Sequence, residues 1–386
     1  MIRLLMDGTP IAPDAKGVGR YAFHLCLQLA ERLPSDWELQ VLVRPASNRL
    51  FPNGFRAVLV PVEPASEIVN ALYVIPHQAR KLGSSLLLKT NESAGYVRGI
   101  PTVTVCHDID QLITIAQAEK RNPVRVALEF CKGHLRRRAL QNSDFVICNS
   151  EFTRKAVEEY YHIPPDRTAL GYCAVDPRFY ESSGLIDKDA VRKKYGVARF
   201  VLTFATGDAR ENFRCYPAIA ARMMALGVHT CLLIAGLKRD QPYALALRDQ
   251  LVAQGLVEGK QFVLEDFLGG ERFGDLASLY AAADFYLDPS LHEGFGMQLI
   301  EAMACGTTCI SSSRGALAEV GDKYVLFVDP TNVEDMAQTI KRAYDNGLQH
   351  RDNREQVSYT RKFSWDSAGK AVTEALLGVA AKLPIG

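Results

Sequence analysis

No apolar run in this 386-residue chain reaches the length of a membrane span, and the opening MIRLLMDGTP reads as a short strand rather than a signal peptide. Excess charge is missing as well. Lys and Arg number 45 against 44 Asp and Glu, a formal net charge of +1, so no global field points to nucleic acid or to a membrane. There is no internal repeat of solenoid length and no low-complexity tract, which argues against repeat arrays and disordered tails. A second cysteine pair at zinc-binding spacing, beside Cys305 and Cys309, is also lacking. The nine cysteines are scattered, several within apolar stretches such as VTVCHD and FVICNS, as suits buried reduced thiols and a cytoplasmic location. Cys305 and Cys309 flank a helix-to-strand turn with no second pair, so no metal is expected there.

What the chain does hold is apolar substance, 48% of its residues, and enough length for two cores. Apolar runs of strand length alternate with amphipathic helical stretches, which predicts an α/β fold with doubly wound parallel sheets. In the first half IRLLMD, LQVLVR, AVLVPV, LLLKT, TVTVCHD and DFVICNS read as strands. Helices are expected over Gly19–Leu33, Val124–Leu140 and Glu151–Tyr161. A polar segment around Asp176–Lys193 reads as an interdomain linker. A second alternation follows in FVLTFAT, TCLLIAG, QFVLED, FYLDP, TCISS and LFVDP, and FSWDSAGKAVTEALLGVAAK closes the chain as a helix.

The stretch Ser290–Pro330 is the most informative. Gly294 and Gly296 let backbone N–H groups approach a ligand, and MQLIEAMA from Met297 is helical in pattern, stopping at Gly306. A helix start carries unbonded N–H donors and about half a positive charge, a natural seat for phosphate. Glu301 lies roughly 7–8 Å along the helix from that end, while Glu293 stays on the loop. Hydroxyls, then a diphosphate, then a ribose match this layout.

HEGFGMQLIE, AMACGTTCI and LAEVG together resemble the donor-site signature of retaining glycosyltransferases of family 4, with its two glutamates eight apart. The resemblance covers nearly the whole chain. It implies the GT-B fold, two Rossmann-like domains facing a central cleft with the last helix crossing back. The implied boundaries are residues 1–180 plus 366–386 for the acceptor side and 181–365 for the nucleotide-sugar side. It further implies transfer of a sugar from a nucleotide-diphosphate sugar to a hydroxyl with retention of configuration. No cofactor or metal is implied, the nucleotide sugar being a co-substrate. Gly294, Phe295, Gly296 and Met297 would meet the diphosphate, Glu293 the sugar hydroxyls, and Glu301 the ribose diol.

On the acceptor side, Gly17-Val18-Gly19-Arg20-Tyr21 also fits a dinucleotide fingerprint, but GTPIAPDAK intervenes after Asp7 and makes the loop too long for one. The resemblance sets Gly17 and Gly19 across from the donor phosphates, with Arg20 and Tyr21 following. His107 and Asp108 end a strand, where α/β proteins bind ligands, and His107 would sit beside the donor sugar. Asp108-Ile109-Asp110 mimics a metal motif of another fold class, and no metal is assigned to it. Ser150 either approaches ligand or caps the helix it precedes. Loops around Asn91, Glu92 and Leu112–Asn122 would line the acceptor pocket.

One string departs from the family. FATGDARENF puts Arg210, Glu211 and Asn212 where family members commonly carry Arg-Lys-Asn. A unit charge at about 5 Å in an effective dielectric near 20 is worth roughly 3 kcal/mol, here with the wrong sign for a diphosphate. Arg210 turning inward with Glu211 pointing away is the preferred remedy; Lys238 supplying the charge, or an altered site, stay open. Two alternatives to a working transferase also stay open, a nucleotide-sugar-binding subunit without turnover and a glycoside phosphorylase of the same fold. The acceptor, whether saccharide, small molecule or lipid-linked, is not legible, and weak peripheral membrane contact is left open.

Overall fold

The computed structural model describes residues 1–15, 17–63, 66–93, 96–109, 123–182, 186–266, 268 and 273–383. The chain divides into two compact units, one of residues Met1–Ala174 with Ser364–Gly386, the other of Val175–Phe363.

The first unit is built on seven parallel strands: β1 (Ile2–Asp7), β2 (Trp37–Val43), β3 (Val58–Pro61), β4 (Leu86–Lys89), β5 (Thr102–Cys106), β6 (Phe145–Cys148) and β7 (Thr168–Leu170), in the order β3-β2-β1-β4-β5-β6-β7. The central strands are apolar without alternation because both faces of the sheet are covered, and Leu4, Leu5, Leu86, Leu87 and Leu88 are all buried. The six strands expected from sequence are present. β7 is the one that was missed, a three-residue edge strand after Pro164 and Pro165 and too short to show a pattern.

Helix Gly17–Arg32 buries Tyr21, Leu25, Cys26 and Leu29, one stripe at helical spacing. The terminal helix Trp365–Ala380 packs against it. Ser364 caps that helix by accepting from Ser367 N–H at 3.2 Å, Asp366 pairs with Arg32, and a Cβ at Gly369 would stand 2.5 Å from Gln28 Cβ. Glycine at 369 is what allows the two helices this close.

The second unit has six parallel strands: β8 (Phe200–Phe204), β9 (Cys231–Leu237), β10 (Phe262–Asp266), β11 (Phe285–Asp288), β12 (Cys309–Ser312) and β13 (Leu326–Val328), in the order β10-β9-β8-β11-β12-β13. Each expected strand is found here too.

The expected linker is not one. The described residues of this stretch include two short helices of the second unit, Pro177–Ser182 and Lys188–Lys194. Phe179 is fully buried with its ring 5.9 Å from Tyr280, and its carbonyl accepts from Cys305 Sγ. Arg192 donates to Asp284 Oδ1 at 2.9 Å and to the Ala282 carbonyl at 3.2 Å. The passage from one unit to the other therefore falls at Ala174/Val175, before the expected 180/181. The return falls at Phe363/Ser364 rather than 365/366, because Trp365 packs into the first unit.

Of the cysteines, Cys131 is exposed and Cys215 half-buried, against the expectation for those two, and the other seven are buried. Burial raises their thiols, to about 12 at Cys173 and Cys231, so they stay protonated.

Buried Asp284 also accepts from Arg199 Nε at 3.3 Å and from the Tyr344 hydroxyl at 2.9 Å, so three donors converge on one carboxylate. Asp284→Ala leaves them without it. The expected loss is about 2–3 kcal/mol by urea titration, less than for a fully buried pair because both arginines are partly exposed.

Candidate functional site

In each unit the strand order reverses once, between β8 and β11 in the second and between β1 and β4 in the first. Connections leave such a point in opposite directions and open a crevice at the carboxyl ends of the strands. The residues singled out from sequence gather at these two edges.

In the second unit the loop after β11 is shaped by Asp288. Its buried carboxylate accepts from Ser290 N–H at 3.2 Å and Ser290 Oγ at 2.6 Å, and the chain then turns toward Glu293. Gly315 lies against the Glu293 backbone with φ +62°, and a Cβ there would stand 2.3 Å from the Glu293 carbonyl oxygen. Ala316 N–H donates to that same oxygen at 2.9 Å. The glutamate is thus fixed through its main chain, and its side chain is half-buried. Gly296 follows with φ +92° and starts helix Met297–Ala304, closing the first turn with its carbonyl accepting from Leu299 and Ile300 N–H. The N–H groups of Met297 and Gln298 precede those bonds and belong to the donors every helix start leaves for other partners.

Glu301 is buried one turn on, with the Tyr280 hydroxyl donating to its Oε2 at 3.3 Å. The Phe295 ring is buried 5.5 Å from Phe363, edge to face.

The loop after β8 gives Arg210 and Glu211 partners close at hand. Arg210 donates to Asp208 in a two-pronged pair, Nη2 to Oδ2 at 2.8 Å and Nε to Oδ1 at 3.2 Å, so its charge is offset locally. Glu211 turns onto its own loop and accepts from Thr206 N–H and Oγ1, both at 2.6 Å. Both carboxylates hold the turn around Gly207 (φ +94°). Asn212, given no role from sequence, is the tie between loops: its Nδ2 donates to the carbonyls of Pro289 at 3.1 Å and Pro330 at 2.7 Å. Leu291 N–H donates to the Arg210 carbonyl at 2.7 Å, bringing the two loops into direct contact. Lys238 is exposed at the end of neighbouring β9, its N–H donating to the Tyr243 hydroxyl at 2.9 Å.

In the first unit buried Asp7 ends β1 much as Asp288 ends β11, accepting from Thr9 N–H at 3.0 Å and Thr9 Oγ1 at 2.7 Å. The following loop folds back onto the helix start, and a Cβ at Gly19 would stand 2.3 Å from the Pro10 carbonyl oxygen. Glycine at 19 is therefore required by the loop itself. Gly17 is the first residue of the helix, and Arg20 on its first turn is half-buried.

His107 follows β5 and is buried. Its Nε2 lies 2.9 Å from the Thr90 carbonyl, which only accepts, so Nε2 carries a proton and donates it there. Its main chain is held from both sides. Glu92 Oε2 accepts from His107 N–H at 3.0 Å, and Asn149 Nδ2 donates to the His107 carbonyl at 2.9 Å. Glu92, expected to line an acceptor pocket, here fixes the histidine.

Tyr21 is fully buried, its hydroxyl donating to the Gly171 carbonyl at 3.2 Å and its ring edge-on to His107 at 4.8 Å. Ser150 is fully buried and caps its helix, one of the two readings of the sequence, accepting from Thr153 N–H at 3.0 Å. Asp108 stays half-buried, accepting from Ile109 N–H at 2.7 Å. Asp110 and Leu112–Asn122 lie outside the described residues.

Two family models match the chain, one described as Glycosyltransferase Family 4 over residues 15–179 and one as Glycosyl transferases group 1 over residues 228–362. The serotype-specific mannosyltransferase WbdA of Escherichia coli is 28% identical over 282 residues, 68% of this chain and 32% of WbdA. A GDP-mannose-dependent alpha-(1-6)-phosphatidylinositol dimannoside mannosyltransferase of Mycobacterium tuberculosis is 28% identical, over 72% of this chain and 66% of that protein. The matched region thus spans about a third of WbdA's length and just under two thirds of the mycobacterial protein's. Among solved structures, sucrose-phosphate synthase from Thermosynechococcus elongatus superposes with a TM-score of 0.74 at 18% identity, over 99% of this chain and 100% of that one, a likeness of fold.

The geometry yields two expectations. Burial outweighs the Ser290 hydrogen bonds and raises the Asp288 carboxyl above its usual range. Between the unfolded value and this raised folded value the native state holds the extra proton, so this group's contribution to stability increases as pH falls through the folded pKa. Asp288→Asn keeps an acceptor for Ser290 and removes the buried charge. Its melting temperature relative to the parent is expected to be most favourable at pH 7 and to lose that advantage on acidification. Gly315→Ala meets both the positive φ and the Glu293 carbonyl, whereas Gly347 (φ +68°) has nothing within 4 Å of its Cβ position. By denaturant titration Gly347→Ala is expected to cost about 1 kcal/mol and Gly315→Ala about 3 kcal/mol or more.

Proposed function

We propose, for a chain that belongs to the GT-B glycosyltransferases of family 4, that it transfers a hexosyl group from a nucleotide-diphosphate sugar to an acceptor hydroxyl with retention of anomeric configuration. The observation that carries this reading is the turn Glu293–Gly296. It sits at the β8/β11 reversal, runs into a helix start, and has a buried carboxylate one turn further on.

In this reading the diphosphate meets the N–H donors of the turn and of Met297 and Gln298. As the anomeric C–O bond breaks, negative charge grows on the leaving phosphate and these donors, already in place, stabilise it. Glu301 accepts from both ribose hydroxyls, while the Tyr280 hydroxyl donating to its Oε2 helps to hold the carboxylate in place. Glu293, held by its main chain, accepts from hydroxyls of the sugar. His107 presents its Nδ1 edge toward the sugar, since Nε2–H is committed to Thr90. The leaving phosphate takes the acceptor's proton on the face it departs from, so no separate general base is called for.

With Arg210 offset by Asp208, positive charge for the diphosphate comes from the helix start and from Lys238 at the adjoining strand end. Both relatives described above are mannosyltransferases by name and one is GDP-mannose-dependent, which makes GDP-mannose the first donor to test. A second reading, donor binding without turnover, draws on that same loop, where Glu211 stands at the usual lysine position.

A mass-spectrometric screen of UDP-, GDP- and ADP-sugars, with and without chelator, separates the two. Sugar release or transfer is expected with one donor class. Thermal stabilisation by a donor without any release would establish the binding reading instead. Glu301→Ala is expected to weaken donor affinity by roughly tenfold to a hundredfold through the lost diol contact. Unchanged affinity and turnover would remove that residue from the site.

A further inference from the structure

In the first unit β4 ends, at the strand-order reversal, on a buried lysine. Lys89 is 2% exposed, stands opposite Asp7 in the β1–β4 register, and is followed by fully buried Thr90. An ammonium out of water is costly unless charge and hydrogen bonds compensate it, and a methionine would fill a similar volume without that cost. Compensation comes from two sides here. Lys89 Nζ donates to the Ser93 carbonyl, and Asp7 supplies a neighbouring carboxylate. Burial raises that carboxyl, while the Thr9 hydrogen bonds and then the Lys89 charge act against the rise.

The bond from Lys89 to Ser93 closes a turn over the residues between them, Thr90, Asn91 and Glu92. Thr90 and Glu92 are the residues that hold His107. The Thr90 carbonyl accepts from Nε2–H at 2.9 Å, and Glu92 Oε2 accepts from the main-chain N–H at 3.0 Å. Asn91 Oδ1 accepts from Ser93 N–H at 3.0 Å, and the Thr90 hydroxyl donates to the Asp7 carbonyl at 2.7 Å. We propose that Lys89 is a positioning residue for His107, bracing the turn that grips the histidine by its ring and by its main chain. A hydrogen bond from an ionised donor is stronger than a neutral one, which suits a brace across several residues. Without the ammonium the Ser93 carbonyl loses this donor, the turn loosens, and the Thr90 carbonyl and Glu92 carboxylate lose their alignment with His107. The consequence for turnover rests on the transferase reading above; the consequence for the histidine does not.

With isotope-labelled histidine, nuclear magnetic resonance reads the imidazole N–H of His107, assigned by its loss in His107→Gln. In the parent this N–H is expected to exchange slowly with water, and in Lys89→Met at least about tenfold faster. Lys89→Gln, a shorter neutral donor, is expected to speed exchange less, and it is the variant read if Lys89→Met fails to fold. Lys89→Arg keeps the cation and is expected to restore most of the protection. Ser47→Ala removes another buried hydroxyl, the one donating to the Ile11 carbonyl at 2.7 Å, and is expected to leave His107 unchanged. In transfer assays Lys89→Gln is expected to lower kcat on the order of tenfold with the KM for donor held, a split that plain loss of stability does not produce. Parental exchange at His107 in folded Lys89→Met or Lys89→Gln overturns the brace. So does equally fast exchange in Ser47→Ala, which would trace the effect to stability alone. A parent that turns over no donor overturns the transferase reading instead, and the imidazole result stands apart from it.

Discussion

The candidate site of the second unit depends on one backbone contact. Glu293 passes so close to Gly315 that no side chain fits between them, and its carbonyl is held there by Ala316 N–H. That contact sets where the chain enters the next turn. Gly296 can then adopt a positive φ and release a helix whose first N–H groups face the crevice at the strand-order reversal. Without it the carboxylate of Glu293 and the helix start would have no fixed relation to each other. An amide-lined seat for a leaving phosphate acts only when its donors are in place before the charge appears.

Each unit applies the same local device at the strand beside its reversal. Asp7 and Asp288 are buried at strand ends and accept from a hydroxyl residue two positions on, which bends the chain into its loop. Both carboxyls are raised by burial, so both are held in spite of a desolvation cost. A serine or threonine two residues on offers two donors to one oxygen, and an apolar replacement would offer none. Stability is given up for a defined loop, the kind of exchange expected where a site must be preorganised.

The fold was legible because parallel strands covered on both faces are continuously apolar. IRLLMD and TCLLIAG announce themselves in a way that three-residue Thr168–Leu170 does not. The polar stretch Asp176–Lys193 misled because its anchoring is carried by single residues, Phe179 in a pocket and Arg192 on Asp284, which leave no periodic trace. In the site, the turn glycines and the two glutamates were readable from their order. The partners of Arg210 and Glu211 were not, since a side chain two residues away and a loop amide compete for each charge and only the local turn decides. Tyr21 follows a glycine loop in sequence yet points into the core, because the helix already begins at Gly17 and carries position 21 onto its buried stripe. Asn212 and Gly315 act through carbonyls far along the chain, contacts that no motif encodes.

The central claim is that backbone amides of the 294–299 segment hold the diphosphate of a nucleotide sugar. Amide hydrogen exchange with and without GDP-mannose, or whichever nucleotide sugar binds, addresses those amides directly. Slowed exchange concentrated from Gly294 to Leu299 is the predicted result. Demonstrated binding that leaves exchange in this segment unchanged, with protection appearing elsewhere, would contradict the account.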